Sequence, residues 1–294
     1  MKLFVFGRGY SASHFLRGHR GPFRRVGATT RGLEPVEPIS QVEDLVFDGQ
    51  SARSDVREGL IQADALLVSI PPGGHGDPVL AHFVRDIAGA ANLHTIVYLS
   101  TIGVYGDHGG AWVDEDTVPV PRSARSIERL KTENDWLALG TESGKAVHIL
   151  RLAGIYGPGQ NALENLRAGT ARRLIKPGQV FNRIHVEDIA LAIAAAFRHP
   201  VGGVWNVGDD EPAPPQDVIA FAAGLLGLPV PTGQDFATAE LSAMARSFYS
   251  ENKRVSNKRL REVLGVELAY PTYREGIGAL AGEMDREPSG SQVK

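Results

Sequence analysis

Residues 1–15 read MKLFVFGRGYSASHF, and the deciding part is Leu3-Phe4-Val5-Phe6 running straight into Gly7-Arg8-Gly9-Tyr10-Ser11-Ala12. A short apolar, β-branched and aromatic run bounded by glycine reads as a buried strand. Glycine then stands where the chain must turn tightly, at Gly7, and where backbone must come close to a ligand, at Gly9. Ala12 is small enough to let the next helix pack against the strand, and Phe15 and Leu16 give that helix an apolar face. A G-x-G-x-x-A pattern is a weak signal alone. Between a strand and a helix, however, it is the context in which helix N-terminal amides receive the pyrophosphate of a dinucleotide. Gly7, Arg8, Gly9, Tyr10, Ser11 and Ala12 are therefore expected to meet a cofactor, the bland alternative being a plain strand-to-helix turn.

Outward from this turn, similar short runs occur at residues 25–29, 44–47, 65–70, 95–101, 147–150 and 204–207. Between several of them lie stretches with helical spacing, such as Val79, Phe83, Ile87 and Ala90, or Ile127, Leu130 and Leu137. Strand alternating with helix implies right-handed crossovers and a parallel sheet covered on both faces. The expected fold is α/β, a Rossmann-type doubly wound parallel sheet. Beyond Ile155 the alternation loosens into helix candidates at 188–197, 215–226, 257–264 and 273–284. This predicts an NAD(P)-binding domain over residues 1–155 and a smaller, mostly helical substrate region over 156–286, of which 184–207 returns to the sheet. Residues 287–294 have no apolar anchor and read as a flexible tail.

Composition narrows the function classes. With 43% hydrophobic and 22% charged residues, the 294-residue chain lacks the profile of a disordered protein. Lys plus Arg number 31 against 34 Asp plus Glu, so the net charge of −3 offers no bulk basic field for nucleic acid or anionic lipid. The absence of cysteine removes disulfides, Cys-ligated zinc and thiol nucleophiles. The apolar run before Gly7 is shorter than a signal-peptide core of ~7–15 residues, and no segment approaches the ~18 apolar residues of a membrane span. The expectation is a cytoplasmic protein with a small-molecule substrate and neither nucleic acid nor membrane as partner.

An NAD-specific site carries an acidic residue at the end of the second strand for the ribose 2′-hydroxyl, whereas this chain reads Ala28-Thr29-Thr30-Arg31. Arg31, beside Thr30, suits a 2′-phosphate, and Arg8 could stack on the adenine or pair with the same phosphate. NADP is thus expected over NAD, unless both arginines are solvated surface charges.

Taken in order, these pieces resemble the extended short-chain dehydrogenase/reductase superfamily, especially its nucleotide-sugar epimerase/dehydratase-like members and an atypical branch without the usual catalytic pair. The resemblance spans nearly the whole chain. It rests on Gly7 to Ala12, Asp48, Ser69-Ile70-Pro71-Pro72, Tyr98 to Gly106, Arg151 to Gly159, Arg183 to Asp188 and Trp205 to Gly208. It implies that Asp48 touches the adenine, although an Asp-Gly turn explains that residue nearly as well. It also implies that the backbone near Ser69 and Pro71 lines the ribose and pyrophosphate. Thr101, four residues before the Tyr of Val104-Tyr105-Gly106, takes the place of the Ser/Thr that hydrogen-bonds the reacting hydroxyl. The alternative for Thr101 is a strand-end hydroxyl bonded to nearby backbone.

The resemblance breaks on the next helix, where hydroxyl-oxidising members carry Tyr-x-x-x-Lys. Aligning Glu133 with the acidic residue four positions after that Lys puts Arg129 at the Lys position and Arg125 at the Tyr position. A guanidinium stays protonated, so Arg125 can bind an anion but cannot cycle as acid and base. Arg129 could still hold the cofactor ribose, or simply pair with Glu133 at the surface. A Tyr-x-x-x-Lys does occur at Tyr249 to Lys253, but in the C-terminal region, and it is set aside. Substitute proton carriers or substrate contacts are Tyr105, Tyr156 and His185, although His185 with Asp188 more readily reads as a fixed turn between strand and helix. Trp112, in the acidic loop 107–116, could stack on a sugar or base. No His-x-x-x-His spacing supports a metal there, and no structural metal is expected.

Two functions follow from this reading. One is an NADP-binding oxidoreductase or epimerase/dehydratase-like enzyme on a small polar substrate, with a nucleotide-linked sugar among the candidates. The other is a catalytically degenerate NADP-binding sensor or regulator. By analogy with the family, a homodimer would form through the helix carrying Ile127 and Leu130.

Overall fold

In the computed structural model, which describes residues 1–32 and 36–286, seven strands form one all-parallel sheet. They are β1 Lys2–Phe6, β2 Arg25–Thr30, β3 Val42–Val46, β4 Ala65–Val68, β5 Thr95–Thr101, β6 Ala146–Leu152 and β7 Gly203–Val207. Their spatial order is β7-β6-β5-β4-β1-β2-β3, so the chain winds outward from β1 in both directions. That reversal, between β1 and β4, opens a crevice at the carboxyl ends of the strands. Each of the seven apolar runs in the sequence is one of these strands.

Ten helices accompany them among the described residues: α1 Tyr10–Gly18, α2 Ser54–Ile61, α3 Pro78–Gly89, α4 Ala124–Ser143, α5 Ala162–Arg167, α6 Val186–Arg198, α7 Pro215–Leu225, α8 Ala243–Phe248, α9 Lys258–Glu262 and α10 Tyr273–Arg286. Side chains alternate across a strand. Leu3, Val5 and Leu67 accordingly join Phe15 and Leu16 of α1 and Ile189 and Ile193 of α6 on one face. Phe4, Phe6 and Leu66 join Val56 of α2, Phe83 of α3 and Trp136 of α4 on the other. Phe6, Phe47 and Phe83 pack with ring centroids 5.1–5.4 Å apart. Each fully buried ring contributes about 2–3 kcal/mol. The third strand, expected at 44–47, spans Val42–Val46: Val42 and Glu43 join the ladder opposite Val26 and Gly27, while Phe47 still donates its N–H to Thr30 O at 2.9 Å and turns its ring into this cluster.

Local chemistry starts and stops the helices. Asp77 caps α3 by accepting from Val79 N at 2.7 Å and Leu80 N at 3.0 Å, and Pro78 occupies the first helical position. Ser123 caps α4, which ends at Gly144 in the left-handed conformation. Glu133 of α4 is buried and forms a forked pair with Arg151 of β6, at 2.7 Å from Nη2 and 3.1 Å from Nε; the Ser100 hydroxyl also donates to it. This pair ties α4 to the centre of the sheet rather than to the surface.

Over the carboxyl edge lies a smaller core of Tyr156, Leu163, Val218, Tyr273, Ile277 and Leu280. A short parallel pair, Gly154–Tyr156 with Arg183–His185, carries the chain from β6 into this region and back to α6. A second pair, Trp112–Val113 with Arg254–Val255, fastens the loop after β5 to the C-terminal segment. The tail expected over 287–294 lies outside the described residues. Among the described residues no helix is long and apolar enough to cross a membrane.

Candidate active site

The crevice above β1 to β4 is a cleft of about 740 Å³ made by the turns that follow these strands. Gly7, Arg8 and Gly9 form its floor, with Thr30 at the end of β2, Arg31 after it, Asp48 after β3, and Ser69 and Pro71 after β4 on its walls. Gly7 has φ +90, and a Cβ there would lie 2.7 Å from Ile70 Cγ1. Glycine is thus required by both conformation and space. A Cβ at Gly9 would meet nothing within 4 Å, so the backbone faces open space where α1 begins. Arg8 is buried; its Nη1 donates to Glu37 O at 2.8 Å. Its Nε lies 2.7 Å from Asp44 Oδ1 in an ion pair without hydrogen-bond alignment, and Nη2 is buried with no partner. An open glycine cradle at a helix N-terminus beside an orphaned guanidinium donor suits a phosphate-bearing dinucleotide. Arg31 is exposed on the same wall.

The remaining residues expected at this site are distributed around it. Ser11 and Ala12 are buried beneath the turn, and the Tyr10 hydroxyl donates to Pro158 O at 3.0 Å. Asp48 lies in the crevice with Oδ1 accepting from Gln50 N at 2.9 Å, an Asx turn that leaves the other oxygen available. Arg129 lines neither cavity. Its Nη1 donates to Leu99 O at 2.6 Å and its guanidinium lies 5.6 Å from the centre of the Tyr98 ring, because a half-buried cation takes the nearest acceptors.

A second cavity, about 680 Å³, lies above β5 and β6. Thr101 and Tyr156 line it. So do Ser126, Phe181 and Phe248, which the sequence did not single out, and Glu251 and Lys253 of the C-terminal Tyr-x-x-x-Lys stretch. Thr101 Oγ1 accepts from Gly103 N at 3.1 Å. The Ser123 hydroxyl donates to Ser126 Oγ at 2.8 Å, which leaves the Ser126 proton to be donated elsewhere. Thr101 and Ser126 flank Gly103, where a Cβ would lie 3.4 Å from Thr101 Oγ1 and 3.0 Å from Ser126 Oγ. Lys253 is buried, with Nζ donating to Gly106 O at 2.6 Å and to Glu251 Oε2 at 2.7 Å. The signal for Lys253 was the Tyr-x-x-x-Lys beginning at Tyr249. Tyr249 itself is packed edge-on to Phe181 and stacked on Phe236, and burial raises its pKa.

Arg125 is exposed, 5.8 Å from the centre of the Phe248 ring at the cavity wall. Tyr105, His185 and Trp112 do not line the cavity. Tyr105 is buried and donates to Asn206 Oδ1 at 2.8 Å. His185 caps α6, its Nδ1 accepting from Glu187 N at 3.2 Å, and burial together with His14 lowers its pKa to about 4. Asp188 accepts instead from Ala269 N and Tyr270 N, so His185 and Asp188 are not partners; burial raises the Asp188 pKa to about 7. Trp112 is 60% exposed on its short strand. The acidic loop is held by protein groups: Asp107 accepts from Asn252 N, Glu115 from Asn206 N, and Asp116 from Arg259.

Comparison with known proteins adds a family to this geometry. A family model described as the NAD dependent epimerase/dehydratase family matches residues 80–208. Protein YeeZ of Escherichia coli (strain K12) is 32% identical over 229 residues, covering 74% of this chain and 76% of YeeZ. A 3-diazoavenalumate denitrifying reductase from Streptomyces sp is 28% identical over 219 residues, covering 67% and 68% of the two chains. The solved structure of a functionally unknown conserved protein from Silicibacter pomeroyi DSS superposes with a TM-score of 0.86 at 47% identity, covering 97% of this chain and 99% of that one.

Proposed function

The chain belongs to the NAD-dependent epimerase/dehydratase family of extended short-chain dehydrogenases/reductases, and from that membership we propose an NADP(H)-using oxidoreductase or epimerase-like enzyme for a small polar substrate, with nucleotide-linked sugars among the candidates. The observation that carries this reading is the adjacency of two cavities at one sheet edge. The crevice lies above β1 to β4 and the second cavity above β5 and β6, and β4 and β5 are neighbours. A relative named as a reductase supports redox chemistry. Preference for NADP rests on Arg31, on the orphaned Arg8 donor and on the lack of a carboxylate at Thr29-Thr30, against a family whose model is described as NAD dependent.

The cofactor, when bound, supplies hydride exchange with a substrate carbon. The chain's own residues manage the oxygen. Thr101 and Ser126 bind it with hydroxyls on either side of Gly103, polarising a carbonyl for attack. Lys253 holds a proton at Nζ, and Glu251 stabilises that charge from within the cavity wall. As the electron pair of the carbonyl bond moves to oxygen, the Nζ proton neutralises it, a role that neither Arg125 nor Arg129 can fill. Tyr156 contributes to the substrate wall.

Titration of cofactor-stripped protein with NADPH, NADP and NADH in parallel tests the cofactor half, with tighter binding of the 2′-phosphorylated forms expected. A carbonyl and sugar-nucleotide panel then tests turnover, where no activity with any compound would count against the enzyme. Arg125 and Arg129 at the usual Tyr and Lys positions favour one second reading, a sensor that kept the cofactor and lost catalysis. Activity appearing only in Arg125→Tyr combined with Arg129→Lys would support it.

A further inference from the structure

Where α1 packs on α6, three metal-competent side chains that line neither cavity converge. His14 lies on α1, His19 is the residue that ends α1, and Glu187 stands in the first turn of α6. The helices that carry them are held together by Ala12, Phe15 and Leu16 on one and Ile189, Ala190 and Ile193 on the other, all fully buried in one core. His14 Nε2 lies 2.7 Å from Glu187 Oε2, and His19 Nε2 lies 2.7 Å from Glu187 Oε1. One ligand atom from each residue lies within 4.8 Å of the others. The two imidazoles are nearly parallel, 20° apart, with centroids separated by 6.4 Å.

Each carboxylate oxygen thus faces one ring nitrogen, and each such contact needs a proton on that nitrogen. A divalent cation replaces both protons with one centre that all three ligands share. Zinc takes nitrogen at about 2.0–2.1 Å and carboxylate oxygen at about 2.0–2.2 Å, so tetrahedral ligand atoms stand about 3.3 Å apart. The 2.7 Å contacts would open by roughly 0.6 Å, and the wider separations, none beyond 4.8 Å, would close by at most roughly 1.5 Å to reach that spacing. The side chains are 22–29% exposed, leaving room for a water as fourth ligand. Two imidazoles and a carboxylate are ligands that first-row divalent cations accept. Linear spacing hides the set: His19 and Glu187 are far apart in the chain, and only the packing of α1 on α6 joins them.

We propose that His14, His19 and Glu187 form a divalent transition-metal site of His2Glu type that clasps the C-terminal end of α1 to the start of α6. The other end of α1 forms the glycine turn at the crevice, so the metal would anchor the helix that carries the phosphate-facing amides. The proposal does not depend on which substrate or dinucleotide the protein uses.

The test is calorimetric titration of tag-free, chelator-treated full-length protein with Zn²⁺. Saturable binding of one equivalent per chain is expected, weakened at least ~10-fold by His14→Ala, His19→Ala or Glu187→Gln and unchanged by His94→Ala at an exposed histidine elsewhere. In case a variant does not fold, nitrogen NMR of the wild type follows its nine histidines, of which Zn²⁺ should shift two. Absence of saturable binding, binding undiminished in the folded variants, or shifts confined to other histidines would each overturn the site.

Discussion

The crevice above β1 to β4 and the cavity above β5 and β6 are built in opposite ways. The crevice is lined chiefly by strand ends and the turns that follow them, so its contact groups sit beside the local signals that position them: Gly7 after β1, Arg31 after β2, Asp48 after β3, Ser69 after β4. The cavity instead gathers Thr101, Ser126, Tyr156, Phe181 and Lys253 from five separate segments. A site of the first kind depends on backbone conformation at a few positions. One of the second kind depends on long-range packing, above all on the Glu133–Arg151 pair that locks α4 against β6.

This contrast predicts a ranked set of effects. Glu133→Ala should be the most damaging, because it strands the Arg151 guanidinium in the core; breaking a buried pair from one side costs about 3–5 kcal/mol. Chemical denaturation would measure it, and a loss below about 1 kcal/mol would show that the pair does not lock the cavity region. Gly7→Ala comes next. It places a Cβ against Ile70 at positive φ, and dinucleotide affinity should fall by about 100-fold, roughly 2.7 kcal/mol. Fluorescence titration reads it, and unaltered binding would remove the crevice from consideration.

Asp209 sharpens the comparison through pH. It is buried in the substrate region, and desolvation raises its pKa to about 8. The folded protein therefore holds a proton that the unfolded chain releases near pH 4, so this group stabilises the fold at low pH. That contribution declines as pH rises from about 4 to about 8, by roughly 1.4 kcal/mol per pH unit. Asp209→Asn should remove this slope, so its stability relative to the parent should grow steadily between pH 5 and 7. Parallel pH profiles of the two proteins would contradict the shift. The smallest effect is expected from Arg31→Ala, about a 10-fold loss of NADPH affinity, roughly 1.4 kcal/mol, with NADH binding unchanged. Equal losses for both cofactors would dissolve the case for 2′-phosphate recognition.

Much of this architecture was legible in the chain because the strands are short apolar runs bounded by turn residues. Even β7, from Gly203, stands out as Val204-Trp205-Asn206-Val207. The strand-end boundaries were less legible. Val42 and Glu43 lie outside the apolar run, yet they join the ladder because Val26 and Gly27 of β2 stand opposite them, a partner that only the third dimension supplies. At the substrate side, the Tyr249 to Lys253 stretch was visible but had no local reason to be near β5. Its relevance depends on the pairing of Arg254–Val255 with Trp112–Val113, which carries Lys253 to Gly106. Arg129 shows the converse: helical spacing aligned it with a functional position, but its donors are taken by Leu99 O and the Tyr98 ring.

By itself the sequence determined the doubly wound sheet and the glycine turn, since both follow from hydrophobic periodicity and from the backbone freedom of glycine over a few neighbouring residues. Only the tertiary structure decided which polar groups face the second cavity, that His185 and Asp188 serve backbone amides rather than each other, and that His14, His19 and Glu187 meet. Those outcomes depend on burial. Whether an ionisable side chain lines a site or satisfies the core is settled by the acceptors and donors that packing brings within about 3 Å of it.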